Sequence, residues 1–394
     1  MQSLRLRKGV ERRLSSGHCW VYSNEVDVAK TPLRSFVAGD LVEVTSHTGK
    51  VIGSAYMEPN SLICARRYSS QGATELNEQL VEERILVALE LRQKFYSQPY
   101  YRLIFGDSDN LSGVIIDRYG DYLIVQLNTA GIERYRDSIV EALVSVLSPK
   151  GVLLRGDSRA RQEQNLDLQA SLVFGEVPER VELIENGIRF LAPVFDGQKT
   201  GWFYDHRSSR GRLRDYVKGK TVLDVFSYVG GWGIQACAFG ATAACFVDSS
   251  KTAIDGVLEN AQLHQLENRV EVLRGSADKT LAIFAEQGRY FDVVIVDPPA
   301  FIQRKKDIKK GMKAYQRINE AALKLLGDGG TLISASCSMH LSAIDLRTII
   351  NNAAQRVGVT VRVLEQGHQA MDHPIHPAIP ETEYIKTLFL GVTK

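Results

Sequence analysis

No stretch of the 394-residue sequence holds the ~18 consecutive apolar residues that a bilayer-spanning helix needs. A disulfide or zinc framework is missing too. The five cysteines, Cys19, Cys64, Cys237, Cys245 and Cys337, are odd in number and scattered, with no C-x-x-C pair, which is the pattern of reduced thiols. The opening "MQSLRLRKGVERRL" has basic residues but no apolar core behind them, unlike a secretory leader, so a cytoplasmic protein is expected. Net charge is only +2, so a polyanionic partner would have to be met by local basic patches. What remains is ordinary: 44% hydrophobic and 24% charged residues suit a globular chain with room for two or three domains.

Three segments differ in pattern. Residues 1–72 read as short strands with turn punctuation; alternation in "LVEVTS" and glycines at 39, 49 and 53 predict a small β-barrel-like module. Arg5, Arg7, Lys8, Arg12 and Arg13 open it, with Trp20 and Tyr22 close behind. Basic residues beside aromatics suit an RNA surface, and a solvated strand edge would look similar. Residues 73–190 predict a compact α+β unit, with "LVEERILVALELRQKFY" helical and "YGDY" a hairpin turn. Residues 191–394 alternate apolar strands ("TVLDVF", "AACFVD", "RVEVL", "FDVVIVD", "GTLISAS") with helices near 231–239, 250–264, 277–287, 311–326 and 341–357. The fold class is therefore α/β, a doubly wound and mainly parallel sheet. Ligands of such sheets sit at the carboxyl ends of the strands.

The first of these strands runs into "LDVFSYVGGWGIQACAFGA". Asp224 closes the strand, and Gly230, Gly231 and Gly233 follow in the turn, where glycine lets backbone approach a ligand closely. The second strand ends in Asp248, placed to accept ribose hydroxyls. "GWGIQA" also fits the dinucleotide fingerprint G-x-G-x-x-A. An anion at Asp224, however, repels a pyrophosphate and attracts an ammonium, which favours S-adenosylmethionine over NAD.

The fourth strand ends in "DPPAF", where Asp297 precedes two prolines that cannot extend a ladder. The fifth ends in Ser336-Cys337-Ser338, and register places Cys337 beside the Asp297 turn. A core thiol is one reading of Cys337 and a nucleophile the other; Cys237 and Cys245 read as core. After "DPPAF" come Arg304, Lys305, Lys306, Lys309, Lys310, Lys313 and Arg317 against one Asp307. This run reads as a grip on phosphates or as a solvated face.

With Asp224, "DPPAF" and "SCS" assembled, the chain resembles, over essentially its full length, the bacterial 23S rRNA cytosine-5 methyltransferases of the large-subunit methyltransferase I type. "RKGVERRLSSGHCWVYSNEV" resembles the opening of that family's PUA domain, "GDSDNLSGVIIDRYGDYLIVQL" its central domain, and "FDGQKTGWFYDHRSSR" the signature before its Rossmann-like core. The resemblance implies a PUA-like RNA-binding domain at 1–72, a central domain at 73–190 and a methyltransferase domain at 191–394. It implies S-adenosylmethionine as cofactor, and 23S rRNA or a large-subunit assembly intermediate as partner, with a homodimer among the assemblies open to it. Residue by residue, it implies Cys337 as nucleophile and Asp297 with Pro298 as the active-site turn. Asp224, Phe226 and Gly230 match the cofactor loop, and Asp248 the ribose carboxylate. Lys199 and Thr200, with Asp205 and Arg207, fall near the cofactor or target pocket. Arg12, Arg13 and the basic run from Arg304 to Lys310 would meet RNA. The chain departs from the family at Ser276, where an acidic residue is usual. Rival readings are a methyltransferase acting on a guanine nitrogen or another RNA position without a covalent adduct, a NAD-dependent oxidoreductase, and a non-catalytic RNA-binding module.

Overall fold

The computed structural model describes residues 1–394. They divide into two compact units, Met1–Val181 with Gln198–Trp202 and Met371–Thr382, and Glu182–Gly197 with Phe203–Ala370 and Glu383–Lys394. In the first unit, strands β1 (Gln2–Arg5), β2 (Trp20–Tyr22), β3 (Leu41–Thr45), β4 (Val51–Met57) and β5 (Ile63–Ser69) form a sheet in the order β1-β3-β4-β5-β2. Alternation buries Val42 and Val44 of β3 with Leu4, Leu6, Val21 and Ala55, because successive side chains of a strand face opposite ways.

A second sheet takes β6 (Tyr100–Phe105), β7 (Val114–Tyr119), β8 (Tyr122–Leu127), β9 (Gly151–Leu154) and β10 (Ser171–Gly175) in the order β10-β9-β8-β7-β6. Gly120, at φ +64, turns β7 into β8, as "YGDY" predicts. Two buried forks stiffen this sheet: Arg92 donates to Asp109 at 2.6 and 2.7 Å, and Arg102 to Asp117 at 2.7 and 2.8 Å. The same groups tie down the returning segments of the unit. Arg92 also donates to the Asp372 carbonyl at 2.9 Å, and Asp117 accepts from the Thr200 hydroxyl.

The hairpin of β11 (Arg180–Glu185) and β12 (Ile188–Pro193) carries the chain into the second unit, which begins at Glu182. Its inner positions are held by side chains from distant sequence. The Asn260 carbonyl oxygen accepts from Leu191 N at 2.8 Å, and the buried Glu185 receives Arg210 in a fork at 2.6 and 2.9 Å and Gln235 at 2.8 Å. Behind it stands a seven-stranded sheet of β13 (Thr221–Val225), β14 (Ala243–Asp248), β15 (Val270–Arg274), β16 (Phe291–Val296), β17 (Leu326–Ser336), β18 (Thr360–Gly367) and β19 (Lys386–Thr393), ordered β15-β14-β13-β16-β17-β19-β18. The first five run parallel, and β19 enters antiparallel between β17 and β18. The expected helices are present at Gly233–Ala238, Lys251–Leu263, Ala277–Glu286, Ile308–Lys324 and Ala343–Val357. Apolar side chains on both faces of β13, β16 and β17 explain why these strands are central.

Candidate active site

The carboxyl ends of four neighbouring strands carry the candidate residues. In sheet order they present Asp248 (β14), Asp224 (β13), Asp297 (after β16) and Cys337 (after β17). Three strand spacings of ~4.8 Å separate the outer two, roughly 14 Å, enough for a nucleoside and a second base side by side.

Asp224 is fully buried. Its Oδ2 accepts from Gly233 N at 2.9 Å, while Oδ1 has no protein partner. Burial pushes its carboxyl up to about 7, since desolvation disfavours the charged form. The loop wrapped over it is strained: Phe226 and Tyr228 take left-handed φ values of +64 and +48, and Gly230 +87. Non-glycine residues in that region are uncommon and cluster at ligand sites. Gly233 is required by contact, because a Cβ there would fall 2.3 Å from the Phe246 ring. Asp248 holds the same loop, accepting from Tyr228 N at 3.0 Å and from Ser250 N at 2.9 Å. Each of its oxygens keeps a lone pair for a ribose hydroxyl.

These residues fit S-adenosylmethionine, whose ammonium would satisfy the orphaned Asp224 oxygen. A pH dependence follows. The ligand cation favours the ionised carboxylate and lowers its pKa on binding, so affinity should fall as pH drops through about 7, approaching tenfold per unit. Calorimetric titration of the parent and Asp224→Asn checks this; the variant should bind weakly and without that slope.

Asp297 is locked from two sides. Oδ2 accepts from the Trp232 indole at 2.9 Å, and Oδ1 lies 3.4 Å from His206 Nε2. Burial alone would raise the Asp297 pKa, but His206 and the indole hydrogen bond bring it below the usual carboxylate range. For His206, burial is the largest single influence and pulls down, but Asp297 and Asp205 together leave the imidazole above its ordinary value. The pair is thus biased to imidazolium and carboxylate.

Cys337 is half-buried, with Sγ 4.0 Å from the Pro298 carbonyl, so the register expected for "SCS" against "DPP" is realised. The other four cysteines are free and buried. The serines beside Cys337 belong to a hydroxyl network: Tyr315 meets Ser336 and Ser338 at 2.8 Å each, and Ser338 Oγ accepts from Ile302 N at 3.2 Å. Tyr315 lies on the buried face of the helix Ile308–Lys324, whose Lys309, Lys310 and Lys313 are exposed, as are Arg304, Lys305 and Lys306 before it.

The remaining expected residues are placed as follows. Lys199 and Thr200 fall in the first unit, where the Thr200 hydroxyl is bonded to Asp117 and its carbonyl accepts from Tyr119 at 3.0 Å. Asp205 and Arg207 are buried in the second, where the Tyr384 hydroxyl donates to Asp205 at 2.7 Å and the Arg207 guanidinium lies over the Tyr204 ring. Ser276 is exposed at the start of the helix Ala277–Glu286 and its hydroxyl does not cap it. Arg12 is exposed, whereas Arg13 is bound to Glu25 at 2.6 and 2.8 Å and to the Trp20 carbonyl at 2.9 Å. The guanidinium is thus held against the fold while staying partly exposed. Sequence reasoning did not single out His206, Trp232, Tyr315 or Lys386. His206 and Trp232 lie within the motifs "FYDHR" and "GGWG", and Lys386 interrupts an apolar strand, which was a usable signal.

Comparison with known proteins agrees with this geometry. Residues 150–382 match the family described as S-adenosylmethionine-dependent methyltransferase, and residues 4–70 match a PUA-like domain. Ribosomal RNA large subunit methyltransferase I of Vibrio vulnificus is 36% identical over 97% of both chains, and that of Cronobacter sakazakii 34% over 97% of both. The chain belongs to this family. It is accordingly an S-adenosylmethionine-dependent methyltransferase with an N-terminal PUA-like domain. Among solved structures, the methyltransferase SMU.776 in complex with SAH superposes with a TM-score of 0.85 at 22% identity, covering 99% of this chain and 100% of its own. That likeness supports the fold. No helix is long and apolar enough to cross a membrane.

Proposed function

We propose that the chain methylates C5 of a cytosine in 23S rRNA through a covalent adduct between Cys337 and C6 of the base. The observation that carries the reading is the half-buried Cys337 sulfur beside Pro298, one strand from Asp297. The large-subunit rRNA named for the relatives supports the substrate class.

Cytosine C5 is too weak a nucleophile to be alkylated unaided. The Cys337 thiolate adds to C6, and the electron pair of the C5–C6 double bond becomes available at C5. S-adenosylmethionine, when bound, supplies a sulfonium methyl as the electrophile. Asp297, ionised and fixed by Trp232 and His206, accepts a hydrogen bond from the cytosine amino group or from protonated N3. Loss of the C5 proton to solvent restores the double bond and expels the thiolate. The target base must be unpaired or flipped to reach the strand ends.

Asp224, Phe226, Gly230, Asp248 and Ser276 are proposed to hold the cofactor, with Asp205 and Arg207 shaping the pocket from behind. Residues 1–72 and the exposed Arg304, Lys305, Lys306, Lys309 and Lys310 are proposed to bind phosphates, 73–190 to form the central domain and 191–394 the catalytic one. The test is transfer of labelled methyl to unmodified 23S rRNA followed by nucleoside analysis. Labelled 5-methylcytidine is expected, and label in a methylated guanine would overturn the reading.

A further inference from the structure

Lys386 is the first residue of β19 and pairs in register with Ser336, the residue before Cys337. It is buried, 7% exposed, and its ammonium donates to the Ser338 carbonyl at 2.8 Å. Lys386 thus bonds one flank of Cys337 and stands across from the other. A lysine this buried ordinarily has a carboxylate partner. The groups that bear on it are Cys337 at the end of β17, the exposed Glu383 ahead of it in its own segment and, through the two serines, the Tyr315 hydroxyl from the helix Ile308–Lys324.

We propose that Lys386 is the positioning residue that activates Cys337, its ammonium acting as counter-ion to the thiolate. This rests on the reading of Cys337 as nucleophile. The S–H bond breaks and its proton passes to solvent, leaving the thiolate held by the ammonium. The sulfur lone pair then forms the bond to C6, and on elimination the thiolate returns to the same ammonium. Burial brings the Lys386 ammonium down to about 8, with Cys337 the leading opposing influence, so the group stays mainly charged at neutral pH.

The test is site-resolved alkylation of the full-length protein by iodoacetamide across about pH 6 to about 10, since only the thiolate reacts. Lys386→Met should cut the Cys337 rate at pH 7 about tenfold and move its midpoint up by about one unit, and Lys386→Arg should stay within about threefold of the parent, a charge being retained. In methyl transfer, Lys386→Met should lower kcat with KM unchanged and shift the acidic limb of the pH profile upward. Superposable alkylation profiles for parent and Lys386→Met would overturn the proposal, as would equal losses in the Met and Arg variants. Should Lys386→Met not fold, thiolate absorbance of the parent against Cys337→Ala decides alone. A midpoint below the free-thiol value of ~8.5 supports the pair, and one at or above it overturns it. These measurements need no RNA, so they are separate from the nucleoside analysis: a guanine product would remove the cytosine reading and leave the coupling measurable.

Discussion

Cys337→Ala should lower 5-methylcytidine formation by at least about a thousandfold, about 4 kcal/mol of barrier, with S-adenosylmethionine binding unchanged. Asp224 and Asp248, proposed to hold the cofactor, sit on other strands, and a half-buried thiol leaves only a small void when truncated. Cys337→Ser should be nearly as inactive, because a hydroxyl at neutral pH offers almost no anion to add to C6. RNA carrying 5-fluorocytosine gives a second readout: with fluorine at C5 there is no proton to lose, so the adduct cannot resolve. The parent should form a denaturation-resistant complex with it and Cys337→Ala none. A Cys337→Ala enzyme that still makes 5-methylcytidine at the parent rate would mean that the thiol is core filler and not the nucleophile.

Glu185→Ala should be the most damaging single change to stability, costing about 3–5 kcal/mol by denaturant unfolding. Glu185 is 1% exposed and carries the Arg210 fork, the Gln235 amide and, at 3.6 Å, the Arg207 guanidinium. Removing it strands guanidinium charge where water does not reach. Glu185→Gln, which retains one acceptor, should cost visibly less. Equal losses for the two variants would mean that packing rather than charge holds the hairpin to the sheet.

The sequence made the second unit legible because its strands are apolar on both faces and its helices are periodic. It showed the strand-end residues Asp224, Asp248, Asp297 and Cys337 as well, since each closes an apolar run. What it hid is side-chain partnership over long separations. Nothing local to "ERVELIENG" says that Glu185 will meet Arg210 and Gln235, or that the Tyr315 hydroxyl will reach two serines twenty or so residues on. The basic arm hides a partnership of the same kind, since nothing in the sequence pairs Arg13 with Glu25 twelve residues later.

The insertion of β19 between β17 and β18 has a temporal consequence. The segment that sets Lys386 opposite Ser336 is the last of the nineteen strands to be synthesised, whereas the PUA-like sheet closes within the first 69 residues. A nascent chain can therefore complete its first module long before the strand that carries Cys337 acquires its neighbour. On the roles proposed above, an unfinished polypeptide would hold RNA before it could alkylate it, and reactivity would arrive only once translation has passed Lys386.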